Sequence, residues 1–244
     1  DNAMPRKILT APHGIEQVPD IPNYSWAEYG MRSGMPRLLS CFAERNLPAS
    51  VSLNAGVIKA YPVLATAMRD AGWEFIGHGV HQKSIQGEAD EAALIGQAVS
   101  MIEDFTGARP PGWLGPGLKE TMETPDILKS LGIKYLFDWV LDDLPCWMTT
   151  RHGPLMSMPY TLELNDSVIY AVEKHSSPEM HSRLVDTLTL FDRELQTQPR
   201  VLTLALHPHL IAVPHRFVYL ERMLDLLQDR SDTIFMTGRT IADW

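Results

Sequence analysis

From residue 49 onward, short β-rich runs alternate with amphipathic stretches of helical period, and this alternation limits the fold more than any other feature of the 244-residue chain. Ala49–Ala55, Trp73–Gly79, Tyr135–Val140, Met156–Tyr160, Val201–Leu206 and Thr233–Met236 read as strands. Val57–Ala71, closed by Gly72, and Glu88–Phe105, closed by Gly107, read as helices, as do Pro178–Gln196 and His215–Gln228. Strand, helix, strand, helix requires parallel pairing through right-handed crossovers, hence an α/β layer or barrel. Thr10–Ser25 carries Pro12, Pro19 and Pro22 and is expected as a non-helical surface run. No repeat or linker divides the chain. Asp1–Ala3 resembles a tag remnant, leaving 4–244 as one expected domain.

The 45% hydrophobic content suffices for a sizeable core, and no apolar run approaches the ~20 residues of a membrane helix. Thirty acidic against 21 basic residues give a net charge of −9, without a basic stripe, which disfavours nucleic acid and anionic membranes as partners. No signal-peptide pattern opens the sequence. Cys41 and Cys146 are expected as reduced thiols in a cytoplasmic protein with a small-molecule substrate.

Active-site residues of parallel β/α folds collect at the carboxyl ends of strands. Here those ends carry His78 and His81; Trp113 in a Gly/Pro loop; Asp138, Asp142 and Asp143; Asn165 and Asp166; and His207 and His209. The pattern predicts one shared pocket. A lone histidine after a strand is commonly structural, but His78 and His207 together point to function. His81, His209 and His215 are expected on the surface. Asp142-Asp143 before Leu-Pro either caps a turn or serves the site. Trp113 is expected as a pocket wall.

The order of these motifs resembles the polysaccharide deacetylase (NodB homology) superfamily: His78-Gly79, then Thr106-Gly-Ala-Arg-Pro-Pro-Gly-Trp113, an Asp-rich strand end at 138–143, and Leu206-His207-Pro208. Within it, five details are similar to the uricolytic allantoinase and cyclic imide hydrolase branch. They are Glu28-Tyr-Gly-Met-Arg-Ser-Gly34, Gln86 downstream of His78-Gly, Gly112-Trp113, Leu141-Asp-Asp-Leu-Pro-Cys-Trp147 and Pro159-Tyr-Thr-Leu-Glu-Leu-Asn-Asp166. The resemblance implies a single-domain, distorted seven-stranded (β/α) barrel. Only Lys7–Ala11 precedes the matching region, so the first strand is expected to be short or missing, its place taken by another segment or a neighbouring subunit. A homo-oligomer is therefore expected.

Metal-dependent members hold a divalent ion with one Asp of an early Asp-Asp motif and two histidines spaced i, i+4. This chain has no Asp-Asp before His78, and Gln82, a poor zinc ligand, stands four residues after it. No metal ligands are therefore assigned, and the Asp-His-His set for zinc is incomplete. The expected reaction is hydrolysis of a non-peptide C–N bond in a small cyclic amide, ureide or imide. His78 and His207 are its expected acid and base. Glu28 and Asp143 are further catalytic candidates, and Arg32, Gln86, Trp113 and Asn165 substrate-binding ones, with Trp113 stacked on a planar ring. The alternatives are a metal-dependent N-acetyl sugar deacetylase and a catalytically silent binding barrel.

Overall fold

The computed structural model describes residues 18–244. The expected strand Lys7–Ala11 and the tag-like Asp1–Ala3 lie outside the described residues. The chain forms two compact units, each assembled from separated segments.

One unit comprises Arg45–Tyr160, Pro199–Thr203 and Ile234–Trp244 and holds the sheet. Its strands are β1 (Ser50–Leu53), β2 (Glu74–Gly77), β3 (Gly112–Trp113), β4 (Tyr135–Leu136), β5 (Cys146–Thr150) and β6 (Gly153–Ser157), in the spatial order β1-β2-β3-β4-β6-β5. All neighbours are parallel except the β5–β6 hairpin. In register, Leu53 faces Gly77, Gly77 faces Trp113, Trp113 faces Leu136 and Leu136 faces Ser157. Crossovers run through α3 (Gly56–Ala60) and α4 (Pro62–Asp70), then α5 (Glu91–Thr106), then α6 (Thr124–Ser130). The Asp90 side chain caps α5 by accepting from Ala93 N at 2.9 Å, and Gly107 ends it with a left-handed φ of 77°. Ile95, Ala98, Val99 and Ile102 are its buried stripe.

Three expectations change here. The helix expected over 57–71 breaks at Tyr61 (φ −133°, ψ 61°), because a residue before proline is driven out of the helical region. Val201–Leu206 contributes a single parallel bridge, Asn165 to Ala205, and Thr233–Met236 forms no strand. The described residues thus form a six-stranded α/β sheet.

The other unit comprises Thr161–Gln198, Leu204–Thr233 and the described part of Asp1–Glu44. It begins with α1 (Ile21–Tyr29), a π-helical turn (Gly30–Gly34) and α2 (Met35–Glu44). The helix reaches back to Ile21, within the stretch expected to be non-helical. Pro22 lies in the first turn, where no backbone donor is needed, and Asp20 caps it by accepting from Asn23 N and Nδ2 at 3.3 and 2.9 Å. A second π-helical turn (Ser167–Val172), α7 (Glu179–Glu194) and α8 (Pro214–Gln228) complete the unit; α9 (Gly238–Ala242) belongs to the sheet unit. Both long helices match the expected spans, burying Met180, Leu184, Leu188 and Phe191 on α7 and Leu220, Met223, Leu224 and Leu227 on α8. Among the described residues no helix is long and apolar enough to cross a membrane.

Candidate functional site

In the helical unit, the bridge from Asn165 to Ala205 brings two distant turns together. Asp166, fully buried, accepts from His207 Nδ1 at 2.6 Å with one oxygen and from His207 N at 2.7 Å with the other. A carboxylate only accepts, so Nδ1 carries the proton and Nε2 is the working nitrogen. The His207 ring keeps 40% of its side-chain surface exposed. Burial works against its imidazolium, but the Asp166 carboxylate and its hydrogen bond outweigh this and raise the pKa above the ordinary histidine value.

The turn after Ala205 is seated on α1 and its π-helical continuation. A Cβ on Gly34 would stand 2.2 Å from the Pro208 carbonyl oxygen, and one on Gly30 would stand 2.8 Å from His209 N. The two glycines of the Glu28–Gly34 motif therefore permit a contact that no other residue allows. His209, expected on the surface, is half-buried instead. Its ring meets that of Trp26 edge-on at 6.3 Å and that of His207 at 6.2 Å, nearly perpendicular. Burial first, and the neighbouring His207 charge second, push its pKa down to about 4. Behind the pair, the Arg216 guanidinium lies 4.2 Å from the Tyr170 ring centroid and also feels Asp166.

Other candidates in this unit take different roles. Asn165 is buried and its Oδ1 accepts from Ser167 N at 2.8 Å, capping the turn rather than presenting a carbonyl to a ligand. Glu28 is half-buried on α1 and Arg32 is exposed on the π-helical turn.

In the sheet unit, His78 follows β2, half-buried, with Nδ1 2.5 Å from the Leu114 carbonyl oxygen. A carbonyl only accepts, so this Nδ1 carries a proton. The Asn54 side chain donates to the His78 carbonyl. The pocket-wall reading of Trp113 is corrected: it is 0% exposed, and its ring fills the space left by Gly77 opposite, so it cannot stack on a substrate. Gln86 is exposed and donates its amide to the Glu120 carbonyl. Asp143 is exposed on the loop before β5, where its carbonyl accepts from Val201 N, while Asp142 caps the turn through Leu144 N at 3.1 Å.

The inward acid at this strand end is Asp138. Both of its oxygens lie 2.8 Å from Gly115 N, a close approach that a Cβ on Gly115 would block. Glu120 accepts from Trp139 Nε1 at 2.9 Å, while its other oxygen is buried. Burial, then the Asp138 carboxylate, push Glu120 up to about 9; burial likewise raises Asp138. The pair holds a proton at neutral pH.

Asp138, Asp166 and His209 stand among the strand-end residues picked out by the sequence but carried no assigned site role, and Glu120 was missed. Around His78 the residues do not fit the divalent ion that the resemblance implies. Gln82 is an exposed amide, and among the described residues no three His, Cys, Asp or Glu side chains are arranged to hold a metal.

Comparison with known proteins follows the same lines. Residues 24–136 match the family model described as polysaccharide deacetylase. The crystal structure of a probable polysaccharide deacetylase from Pseudomonas aeruginosa PAO1 is 30% identical, with a TM-score of 0.86, covering 97% of this chain and 79% of that one. That of Puue allantoinase is 28% identical, with a TM-score of 0.86, covering 92% and 76%. A Schizosaccharomyces pombe protein named for the same deacetylase family is 26% identical over 235 residues, 88% of this chain and 73% of its own length.

Proposed function

The chain belongs to the polysaccharide deacetylase superfamily, whose members hydrolyse non-peptide C–N bonds, and on that premise we propose that it cleaves an amide with the His207–Asp166 pair as its proton donor. The observation that carries this reading is the double acceptance by the buried Asp166 carboxylate. It fixes the His207 tautomer, sets the ring plane and favours the imidazolium. As water adds to the carbonyl carbon, His207 Nε2 delivers a proton to the departing nitrogen. Trp26, rather than Trp113, is the aromatic side chain beside the histidines, and it lines an open, largely apolar hollow with Pro22, Ser25, Tyr29 and Val213. A sugar ring or a flat heterocycle would find apolar contact there.

The names of the relatives favour an N-acetylated sugar as substrate over the cyclic amide expected from the sequence. The likeness to the allantoinase structure and the incomplete ligand set around His78 favour the cyclic amide as the second reading. A reducing, cytoplasmic setting suits two free thiols, Cys41 and Cys146. Base uptake at a constant pH alkaline enough to leave a freed sugar amine uncharged, with N-acetylated chito-oligomers and with allantoin, hydantoins and cyclic imides, decides between the substrates because either reaction then releases net acid. His207→Gln should lower the turnover of whichever substrate works by about 10²–10⁴-fold with the fold intact. Turnover at the wild-type rate would refute the reading.

A further inference from the structure

The turn that presents His207 carries a second imidazole two residues on, and its surroundings differ from those of a packing residue. His209 is held from below by the bare backbone of Gly30 and from one side by the edge of Trp26. Its remaining ring neighbour is His207, whose plane is turned by 83° at a centroid distance of 6.2 Å. Rings at that separation are too far apart to bond each other directly. They are near enough for one small group to reach a nitrogen of each at ordinary hydrogen-bond lengths of roughly 2.6–3.2 Å.

We propose that His209 is the proton acceptor of this site, paired with His207 as donor across one attacking water. The inference rests on His207 being the acid of the amide hydrolysis proposed above. Water oxygen forms the new bond to the amide carbon while His209 takes a water proton. The C–N bond then breaks with its electron pair passing to nitrogen, which takes the proton of His207. Passage of a proton from His209 back to His207 restores the starting state, so one amide and one water give one acid and one amine.

The electrostatics support the division of labour. Asp166 bonds His207 directly and keeps the shared proton there, while burial and the His207 charge keep His209 neutral. His207 and Asp166 are the charged groups acting on His209; the α1 side presents the Trp26 indole and the Gly30 backbone. Arg216 acts on the pair through Asp166. A neutral imidazole beside a charged one is a weak base at rest. The like charge that weakens it disappears only when His207 passes its proton to the nitrogen, so His209 holds the water proton more firmly through C–N cleavage and returns it afterwards.

The test uses the full chain and its better substrate from the base-uptake assay, with wild type, His207→Gln, His209→Gln and His209→Phe compared from pH 3 to 10. His209→Gln should lower kcat about 10²-fold with KM little changed, and should abolish the acid limb that wild type shows near pH 4. A wild-type kcat, or an unchanged acid limb, in His209→Gln overturns the assignment. Proton NMR of the imidazoles supplies a second readout independent of turnover: the His209 titration should move to higher pH in His207→Gln. An unmoved titration overturns the coupling. If His207→Gln is inactive and His209→Gln is as fast as wild type, this inference alone fails; if His207→Gln is as fast as wild type, the reading beneath it fails too.

Discussion

Two carboxylate sites, one in each compact unit, treat the same functional group in opposite ways. Asp166 receives two hydrogen bonds from His207 and in return raises the pKa of that imidazole. Glu120 and Asp138 bond each other and draw otherwise on one indole N–H and the backbone N–H groups of Gly115 and Asp138. Burial alone therefore does not decide whether an acid serves as an anion or as a proton store. The neighbour does: a like charge beside it raises Glu120, whereas Asp166 faces an imidazole that can carry the opposite charge. The first site exports its charge to a neighbour that can do chemistry, and the second keeps a proton and ties together the loops after β3 and β4.

The sharpest way to break this contrast is Asp166→Asn. It removes the charge at nearly constant volume and should cost about 10³–10⁴-fold in kcat/KM. The alkaline limb should move to lower pH, since His207 loses the group that supports its proton. An unshifted limb would make Asp166 a structural residue only. Next in size is Gly34→Ala, whose methyl meets a carbonyl oxygen 2.2 Å away. Urea unfolding should show a loss of about 1–3 kcal/mol, with activity falling further than stability explains.

A smaller effect of different form is expected from Glu120→Gln. With Glu120 raised to about 9 from an unfolded value near 4.5, its contribution to stability is complete below about 4.5 and is lost as pH rises towards 9. Wild-type melting temperature should therefore decline across that window, and the variant should lose most of the decline. An identical slope in both would remove Glu120 from the account. Gly96→Ala, in the middle of α5 with nothing within 4 Å of the added methyl, should be the smallest change and opposite in sign, a gain of about 0.5–1 kcal/mol by thermal melting.

His207 was legible because a histidine at the end of an apolar run needs no tertiary information to be noticed. Asp166 was not, because the contact that gives it meaning spans 41 residues and depends on a single bridge. The neighbouring Asn165 satisfied the same pattern and was chosen instead. At the next strand end, the expected strand ran to Val140 and moved attention to Asp143, whereas β4 stops at Leu136 and leaves Asp138 at its tip. Trp113 looked like a loop residue because β3 is only two residues long; the glycine opposite, Gly77, was the available sign that a large ring would lie flat inside. α7 and α8 were readable to within two residues, since each carries its own apolar stripe, whereas α5 starts three residues later than expected, at its Asp90 cap.

The seat formed by Gly30 and Gly34 has a consequence for how such chains decay. A favourable contact can be weakened by degrees, but a contact that depends on missing atoms fails at the first methyl. A lineage released from selection would retain its histidines for some time while a side chain at position 34 had already lifted them out of place. Descendants that keep both His207 and His209 but have lost the glycine should be counted among the silent ones.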